Sequence, residues 1–285
     1  MTMLTGTARR RMIGDYLRQR REALGYSLED MARFLECHPS KMSRIETGDR
    51  GIRAKELREL LAEYGTDDAT VQALEAVARS ARGDAGWWTD YEKTLPTPYL
   101  ELASAEACAS AVAVYAPLQV PDLLQVPAYT SATAAADPLV PEERQAAVTA
   151  AVASRQHVVH TERALPVDAV IGEAALRSRA EGPLAMRAQL TYLAETAERP
   201  GPIIIRLLPF TAGPSAPGGA GGFTLLQFGP DPSIGLVHLA GPSGGLFPAD
   251  AQAATSYRNA FDHLKAHALK PEQTARRLRE LLRTL

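Results

Sequence analysis

The chain has 285 residues, of which 46% are hydrophobic and 22% are charged, and its net charge is −2. This composition is typical of a soluble globular protein and excludes collagen-like, disordered and disulfide-rich classes. No apolar run approaches twenty residues, so a membrane partner is not expected, and the start of the chain does not read as a signal peptide. The two cysteines, Cys37 and Cys108, fall in separate predicted domains, and nothing in the sequence indicates a disulfide between them. This predicts reduced thiols and a cytoplasmic protein.

Two helices are predicted at the start of the chain. The first covers residues 13–24 and ends at Gly25. Ser27 is a natural N-cap for the second, and Asp30 three residues later completes a variant of the capping box. One apolar face follows at the i, i+3, i+4, i+7 spacing of a short helix and consists of Leu28, Met31, Ala32 and Leu35.

A third helix follows after a break of four residues. His38 occupies the cap position, and Pro39 stands at the first helical position, where its missing N–H costs nothing. Met42 and Ile45 face inward, and Gly48 suits the left-handed position that ends the helix. Two short helices joined by a tight turn predict a helix-turn-helix that binds double-stranded DNA.

The distribution of charge supports this prediction. Residues 1–58 contain thirteen Lys/Arg and eight Asp/Glu, a net charge of +5, so the rest of the chain carries −7. A basic run taken alone is as often a solvated helix surface as a binding surface. Concentrated on a helix-turn-helix, it indicates an electrostatic footprint for phosphates.

The direction and reach of the side chains predict their roles within the third helix. Arg44 lies one turn beyond Ser40 on the same outer face, and it is the best candidate for a bidentate contact to guanine. Ser40 is predicted to read a base or hold a phosphate. Further contacts to phosphates, base edges or a thymine methyl group are predicted from Ser27, Pro39, Lys41, Ser43 and Arg50.

These motifs make the segment similar to the Xre/lambda-repressor-like DNA-binding domain. The resemblance implies a fourth helix over residues 54–64, ended by Gly65. It also implies a buried structural ion pair between Arg21 and Glu46 that links the first helix to the recognition helix. The family often has Gly where this chain has Glu36, which then either adopts a strained left-handed backbone or marks a differently built turn.

A further amphipathic helix is predicted over residues 67–82, followed by a pair of glycines, Gly83 and Gly86. We take that pair as the boundary between two domains. The prediction is therefore a helix-turn-helix domain over residues 1–82 and a domain that binds an effector or partner over residues 83–285.

The second domain also carries a resemblance. Trp87 and Trp88 open it, an alanine-rich helix is predicted over residues 104–114, and Pro-Asp-Leu-Leu-Gln-Val covers residues 121–126. With the helix-turn-helix before it, this order resembles the actinobacterial WhiJ-like regulators, in which the last motif is close to Pro-Gly-Leu-Leu-Gln-Thr. The resemblance implies control by a small protein encoded nearby, in an antitoxin-like or developmental pair.

The rest of the chain predicts a small mixed sheet. Two β-branched runs, residues 167–171 and 203–208, are read as buried strands, and residues 223–228 and 234–239 as a hairpin. Helices are predicted over residues 141–157, 183–198, 249–269 and 271–285. The fold class is therefore α+β, with an all-α N-terminal domain, a mixed α/β C-terminal domain and helical closure.

Catalytic signals are weak. The glycine-rich residues 211–222 lack the Gly-Lys-Ser/Thr ending of a phosphate loop. The pairs His157/His160 and His263/His267 have helical spacing without a third ligand, and no nucleophile motif is present. We expect no enzyme, no metal and no cofactor, and Glu173 is read as either a buried anchor or a partner contact.

The sequence thus predicts a sequence-specific transcriptional regulator, acting as a homodimer on a two-fold site under the control of a small partner protein. The alternative is a one-component sensor with a small-molecule pocket, which Trp87, Trp88 and Phe223 could line, although packing in the core explains these three residues equally well. A third possibility is an interaction module with a vestigial DNA-binding segment.

Overall fold

The computed structural model describes residues 6–81, 86–161, 164–177, 182–213, 221–250 and 252–285. Its first part is a bundle of five helices, which we call the reader bundle. The helices are α1 (Thr7–Ala23), α2 (Leu28–Phe34), α3 (Pro39–Glu46), α4 (Ala54–Glu63) and α5 (Asp68–Ser80).

The ends of these helices follow from local sequence. Ser27 accepts the amide of Asp30, and the Asp30 carboxylate accepts the amide of Ser27 in return, which forms the predicted capping box. The His38 ring accepts the amide of Ser40, with Pro39 at the first helical position. Gly48 ends α3 with a φ of +75°, a conformation that favours glycine.

The turn between α2 and α3 contains a strained residue. Glu36 has a φ of +49° and is the one non-glycine residue in the left-handed region among those described. The strained alternative for this turn is therefore confirmed, and its backbone costs about 1–2 kcal/mol. The surrounding helix packing holds it in place.

The C-terminal part combines helices with one sheet. Its helices are α6 (Thr97–Glu106), α7 (Pro127–Ala136), α8 (Glu142–His160), α9 (Pro183–Glu198), α10 (Ala253–His267) and α11 (Pro271–Arg283). Its strands are β1 (Ala111–Ala116), β2 (Val167–Gly172), β3 (Ile203–Leu208), β4 (Phe223–Gln227) and β5 (Gly235–Leu239). The predicted α+β class is confirmed.

The five strands form one mixed sheet in the order β3-β2-β1-β4-β5. β1, β2 and β3 are parallel, with Val112 opposite Val167 and Val167 opposite Ile203. β4 runs antiparallel to β1, and β5 completes the predicted hairpin with β4. Apolar side chains from both faces are buried, as expected for a sheet covered by helices.

The predicted helix over residues 104–114 is wrong beyond residue 106. α6 ends at Glu106, and residues 111–116 form β1, the central strand of the sheet. Alanine favours helix in isolation, but the β-branched Val112 and Val114 and their pairing with strands on both sides override that preference.

The first helix contacts both parts of the molecule. α1 begins at Thr7, six residues before its predicted start, and its first turn packs against the C-terminal part. The amide of Ala8 donates to Glu101 Oε1 on α6 at 3.0 Å. Arg9 is only 2% exposed and donates to Ser80 Oγ on α5 and to the carbonyl of Ser104 on α6. The reader bundle is thus joined to the C-terminal part through α1 as well as through the chain after α5.

Candidate nucleic-acid interface

α3 is held by close backbone contact with α1. A Cβ atom at Gly14 would lie 2.4 Å from the carbonyl oxygen of Glu46 and 2.5 Å from that of Ile45, so only glycine permits this approach. Met42 and Ile45 are buried beneath α3. Because its inner face is fixed in this way, α3 presents its other face to solvent.

The predicted partners Arg21 and Glu46 lie together in the structure. Arg21 Nε donates to Glu46 Oε1 at 2.7 Å and Arg21 Nη2 to Glu46 Oε2 at 2.9 Å, a bidentate pair with both side chains buried. Arg21 Nη1 also donates to the carbonyl of Tyr26. The pair ties the end of α1 to the end of α3 and fixes the direction of the recognition helix.

The outward face of α3 carries the residues predicted to read bases. Ser40 and Arg44 are exposed, and Arg44 makes no side-chain hydrogen bond or ion pair within the described residues. Pro39 and Ser43 are half-buried. A free guanidinium beside a hydroxyl on one helix face is suited to a bidentate base contact with neighbouring phosphate contacts.

Lys41 differs from its neighbours on α3. Its Nζ lies 2.6 Å from Glu56 Oε1, and both side chains are largely buried. Burial opposes ionisation of Glu56, but the hydrogen bonds from Lys41 and from the Arg53 amide outweigh it and lower the pKa of Glu56. In the free protein, Lys41 therefore joins α3 to α4.

Two further predicted contacts lie at the edges of this face. Ser27 is exposed at the start of α2, where its Oγ donates to Asp30 Oδ2 and accepts the Asp30 amide. Arg50 is exposed after α3, and its amide donates to the carbonyl of Arg44 at 2.8 Å, which sets the loop against the recognition helix.

The basic run at the start of α1 contributes less to this surface than its charge suggests. Arg9 faces the interior together with Met12, Ile13 and Tyr16, and therefore it cannot contact phosphates. The one available signal was its position, three and four residues before the apolar Met12 and Ile13. The positive charge of Arg9 alone gives no indication that the residue is buried.

The C-terminal part holds a second buried arginine. Arg155 on α8 pairs with Glu106 at 2.6 Å and with Asp122 at 2.9 Å, and its guanidinium lies over the ring of Tyr99. Gln156 donates to the carbonyl of Asp122, so the network anchors the loop of residues 121–126. The sequence assigns no role to Arg155 or Glu106, since no local motif marks a buried pair.

Glu173 resolves one open alternative. It is buried, and it binds Arg177, Arg277 and the amide of Phe210. Burial opposes its ionisation, yet these hydrogen bonds lower the pKa of Glu173. The residue anchors the loop after β2 to α11.

The aromatic residues proposed for one pocket lie apart. Phe223 is 1% exposed and packs against Tyr115, Tyr257 and Phe261, so of its two readings core packing holds and the pocket with the tryptophans does not. Trp87 and Trp88 are half-buried and line a separate groove of about 560 Å³.

The structure adds no support to the weaker catalytic signals of the sequence. The rings of His263 and His267 lie 4.3 Å apart on the surface, and the described residues contain no cluster of three groups that would hold a metal ion.

Most of the glycine-rich segment, residues 214–220, and most of the proposed domain boundary, residues 82–85, lie outside the described residues. None of the described helices has the length and apolarity needed to span a bilayer.

Comparison with known protein families divides the chain in the same order. Residues 13–74 match the family model of a helix-turn-helix domain, and residues 99–280 match the domain of unknown function DUF5753. No curated protein matches the chain. No solved structure matches it either. Since the second match covers more than half of the residues, the chain belongs to the DUF5753 family, and its helix-turn-helix domain makes it a DNA-binding regulator.

Proposed function

We propose that this protein is a sequence-specific transcriptional regulator that binds DNA as a homodimer and is controlled through its C-terminal part by a small partner protein. The observation that carries the proposal is the outward face of α3. There Ser40 and Arg44 are exposed, while buried contacts hold the helix itself against α1. The recognition helix is thus pre-organised, which limits the entropy lost on binding.

Dimerisation is proposed on energetic grounds. A single helix-turn-helix makes few base contacts, whereas two copies on half-sites one helical turn apart combine their affinities. A two-fold DNA site matches a two-fold dimer, so we expect the operator to be an inverted repeat.

Control through the C-terminal part is supported by the position of α1. Its first turn contacts α6 through Ala8 and Arg9, and its last turn contacts α3 through Arg21. A partner that shifts the C-terminal part therefore acts on the helix that orients the recognition helix. The WhiJ-like, antitoxin-like resemblance of the sequence suggests a small protein encoded nearby as that partner. No catalytic role is proposed for either part.

The test is fluorescence anisotropy with the DNA upstream of the protein's own gene and with a scrambled duplex, across a salt series. Arg44→Ala is measured beside the wild type. We expect tight binding to the native duplex and a loss of about 1–3 kcal/mol in the variant on that duplex alone. Equal, steeply salt-dependent binding to both duplexes would reduce the interaction to phosphate attraction and contradict the proposal.

A second candidate function is a one-component sensor that binds a small molecule. The groove of about 560 Å³ beside Trp87 and Trp88 favours it, since this volume lies within the range of small-molecule sites. Co-expression with the small protein encoded nearby, followed by size-exclusion chromatography, separates the candidates. A stable complex that changes DNA affinity supports control by a partner protein. If no complex forms, the small-molecule sensor is favoured.

A further inference from the structure

Both tryptophans of the chain line one groove, which we call the tryptophan groove. It lies between the segment Trp87–Tyr91, the end of α6 and the last turns of α8. Two large aromatic side chains left half-exposed beside one cavity represent apolar surface that folding has not covered.

The aromatic wall has a defined shape. The ring of Trp87 meets Trp88 at 6.0 Å and Tyr91 at 5.8 Å, both edge to face. Gly86 permits this arrangement, because a Cβ atom there would lie 2.4 Å from the Trp88 ring. The local sequence therefore holds Trp88 in one position before any ligand arrives.

The described part of the opposite wall is polar and contains no lysine or arginine. α8 contributes Ser154, His157 and Val158, and Thr161 follows its last turn. Among the described lining residues the one carboxylate belongs to Glu106, whose side chain is fully buried and paired with Arg155. This wall offers hydroxyl and imidazole groups to a ligand.

We propose that the tryptophan groove binds an uncharged, flat aromatic molecule that carries hydroxyl or carbonyl groups. Its ring packs against Trp87 and Trp88, and its polar groups face α8. The described lining contains no lysine or arginine, which disfavours a nucleotide or another phosphate ester. The inference deepens the second candidate function and rests on it for its regulatory purpose, while binding itself is measured without DNA.

The test uses 1-N-phenylnaphthylamine, a neutral aromatic probe whose fluorescence rises in apolar surroundings, with the full-length protein. Tryptophan emission reports on the groove alone, because the chain has no tryptophan elsewhere. We expect saturable binding of one probe per chain, with matching changes in probe and tryptophan fluorescence. Trp88→Ala, which removes part of the wall, and Ser154→Phe, which fills the groove, should each weaken binding by about tenfold.

The matched control is Ile204→Ala. Ile204 lines a second groove of about 560 Å³, between β3 and α11, that contains no tryptophan. This variant should bind the probe like the wild type, and circular dichroism checks the fold of all three variants. Unchanged affinity in both Trp88→Ala and Ser154→Phe, or equal weakening in Ile204→Ala, would overturn the inference. Probe binding that leaves DNA affinity unchanged would support the site and remove the second candidate function.

Discussion

The two ends of α1 bury an arginine in different ways. Arg21, near the C-terminal end, forms a bidentate pair with the buried Glu46. Arg9, near the N-terminal end, is equally hidden but donates only to the hydroxyl of Ser80 and the carbonyl of Ser104. Its Nε has no hydrogen-bond partner. One helix thus carries an ion-paired joint inside the reader bundle and, at its other end, a joint to the C-terminal part that contains no ion pair among the described residues, although the Ala8 amide donates to the Glu101 carboxylate there.

The difference indicates where the molecule can rearrange. Breaking a buried ion pair leaves an uncompensated charge and costs several kcal/mol. A joint of hydrogen bonds without an ion pair costs less to break, particularly where one donor is already unsatisfied. The recognition helix is therefore fixed firmly to α1, whereas the contact between α1 and the C-terminal part is the weaker joint. The control proposed through the C-terminal part requires this order of strengths.

The largest effect is expected from Glu46→Ala. It leaves Arg21 buried without its carboxylate, so the free energy of unfolding should fall by about 3–5 kcal/mol. Urea denaturation measures this loss. The control is Glu22→Ala, which removes an exposed carboxylate 3.4 Å from the same arginine and should have no measurable effect. Similar losses in the two variants would contradict the ion-pair assignment.

His238 extends the comparison to a second basic group held by a neutral partner. It is 5% exposed, and its Nε2 lies 2.9 Å from the carbonyl of Gly244. Burial lowers the pKa of His238 from 6.5 to about 4, although the hydrogen bond to Gly244 opposes this shift. Because the unfolded chain takes up the proton first, the contribution of His238 to stability is complete above pH 6.5. It is lost as the pH falls towards 4.

The measurement is the urea midpoint between pH 7 and pH 4, for the wild type and for His238→Gln. The wild type should lose about 1.4 kcal/mol for each pH unit within this window through His238 alone. The variant should show a shallower decline over the same range, since carboxylates common to both proteins titrate at the lower end. Parallel curves would show that His238 is not kept neutral by burial.

The firm joint depends on backbone contact as well as charge. Gly14→Ala places a methyl group against the carbonyls of Ile45 and Glu46, and neither backbone oxygen has room to move. We expect a loss of about 1–3 kcal/mol and weaker DNA binding, because α3 shifts away from α1. Gly51→Ala is the control, since its nearest neighbour is Arg10 Cδ at 3.6 Å. Equal stability of the two variants would show that α1 and α3 are loosely packed.

The reader bundle was largely predictable because its signals are local. A capping box at Ser27, a proline at the start of α3 and a glycine at its end each act within a few residues. Such features fix helix ends without knowledge of the rest of the fold. The strain at Glu36 was one of the two alternatives that the family resemblance raised, and the residue type alone does not choose between them.

The C-terminal part was predictable only where the secondary-structure preference of the residues agreed with the element that they form. β-branched runs marked β2 and β3, and the helix over Pro183–Glu198 was found with its observed bounds. β1 was missed because its alanines favour helix until two neighbouring strands pair with them. Strand order and the Arg155 network depend on contacts between distant residues, which one sequence does not display.

The joint at Arg9 is tested by making the same change at both ends of α1. Arg9→Met replaces a buried, incompletely satisfied guanidinium with an apolar side chain of similar length. Its stability should stay within about 1 kcal/mol of the wild type or rise above it. Arg21→Met strands the carboxylate of Glu46 and should lose several kcal/mol by the same urea measurement. DNA affinity should survive Arg9→Met, because the contacts that orient α3 lie at the other end of the helix. A loss in Arg9→Met as large as that in Arg21→Met would make the two joints equivalent, and the C-terminal part would then be as firmly fixed to α1 as the recognition helix is.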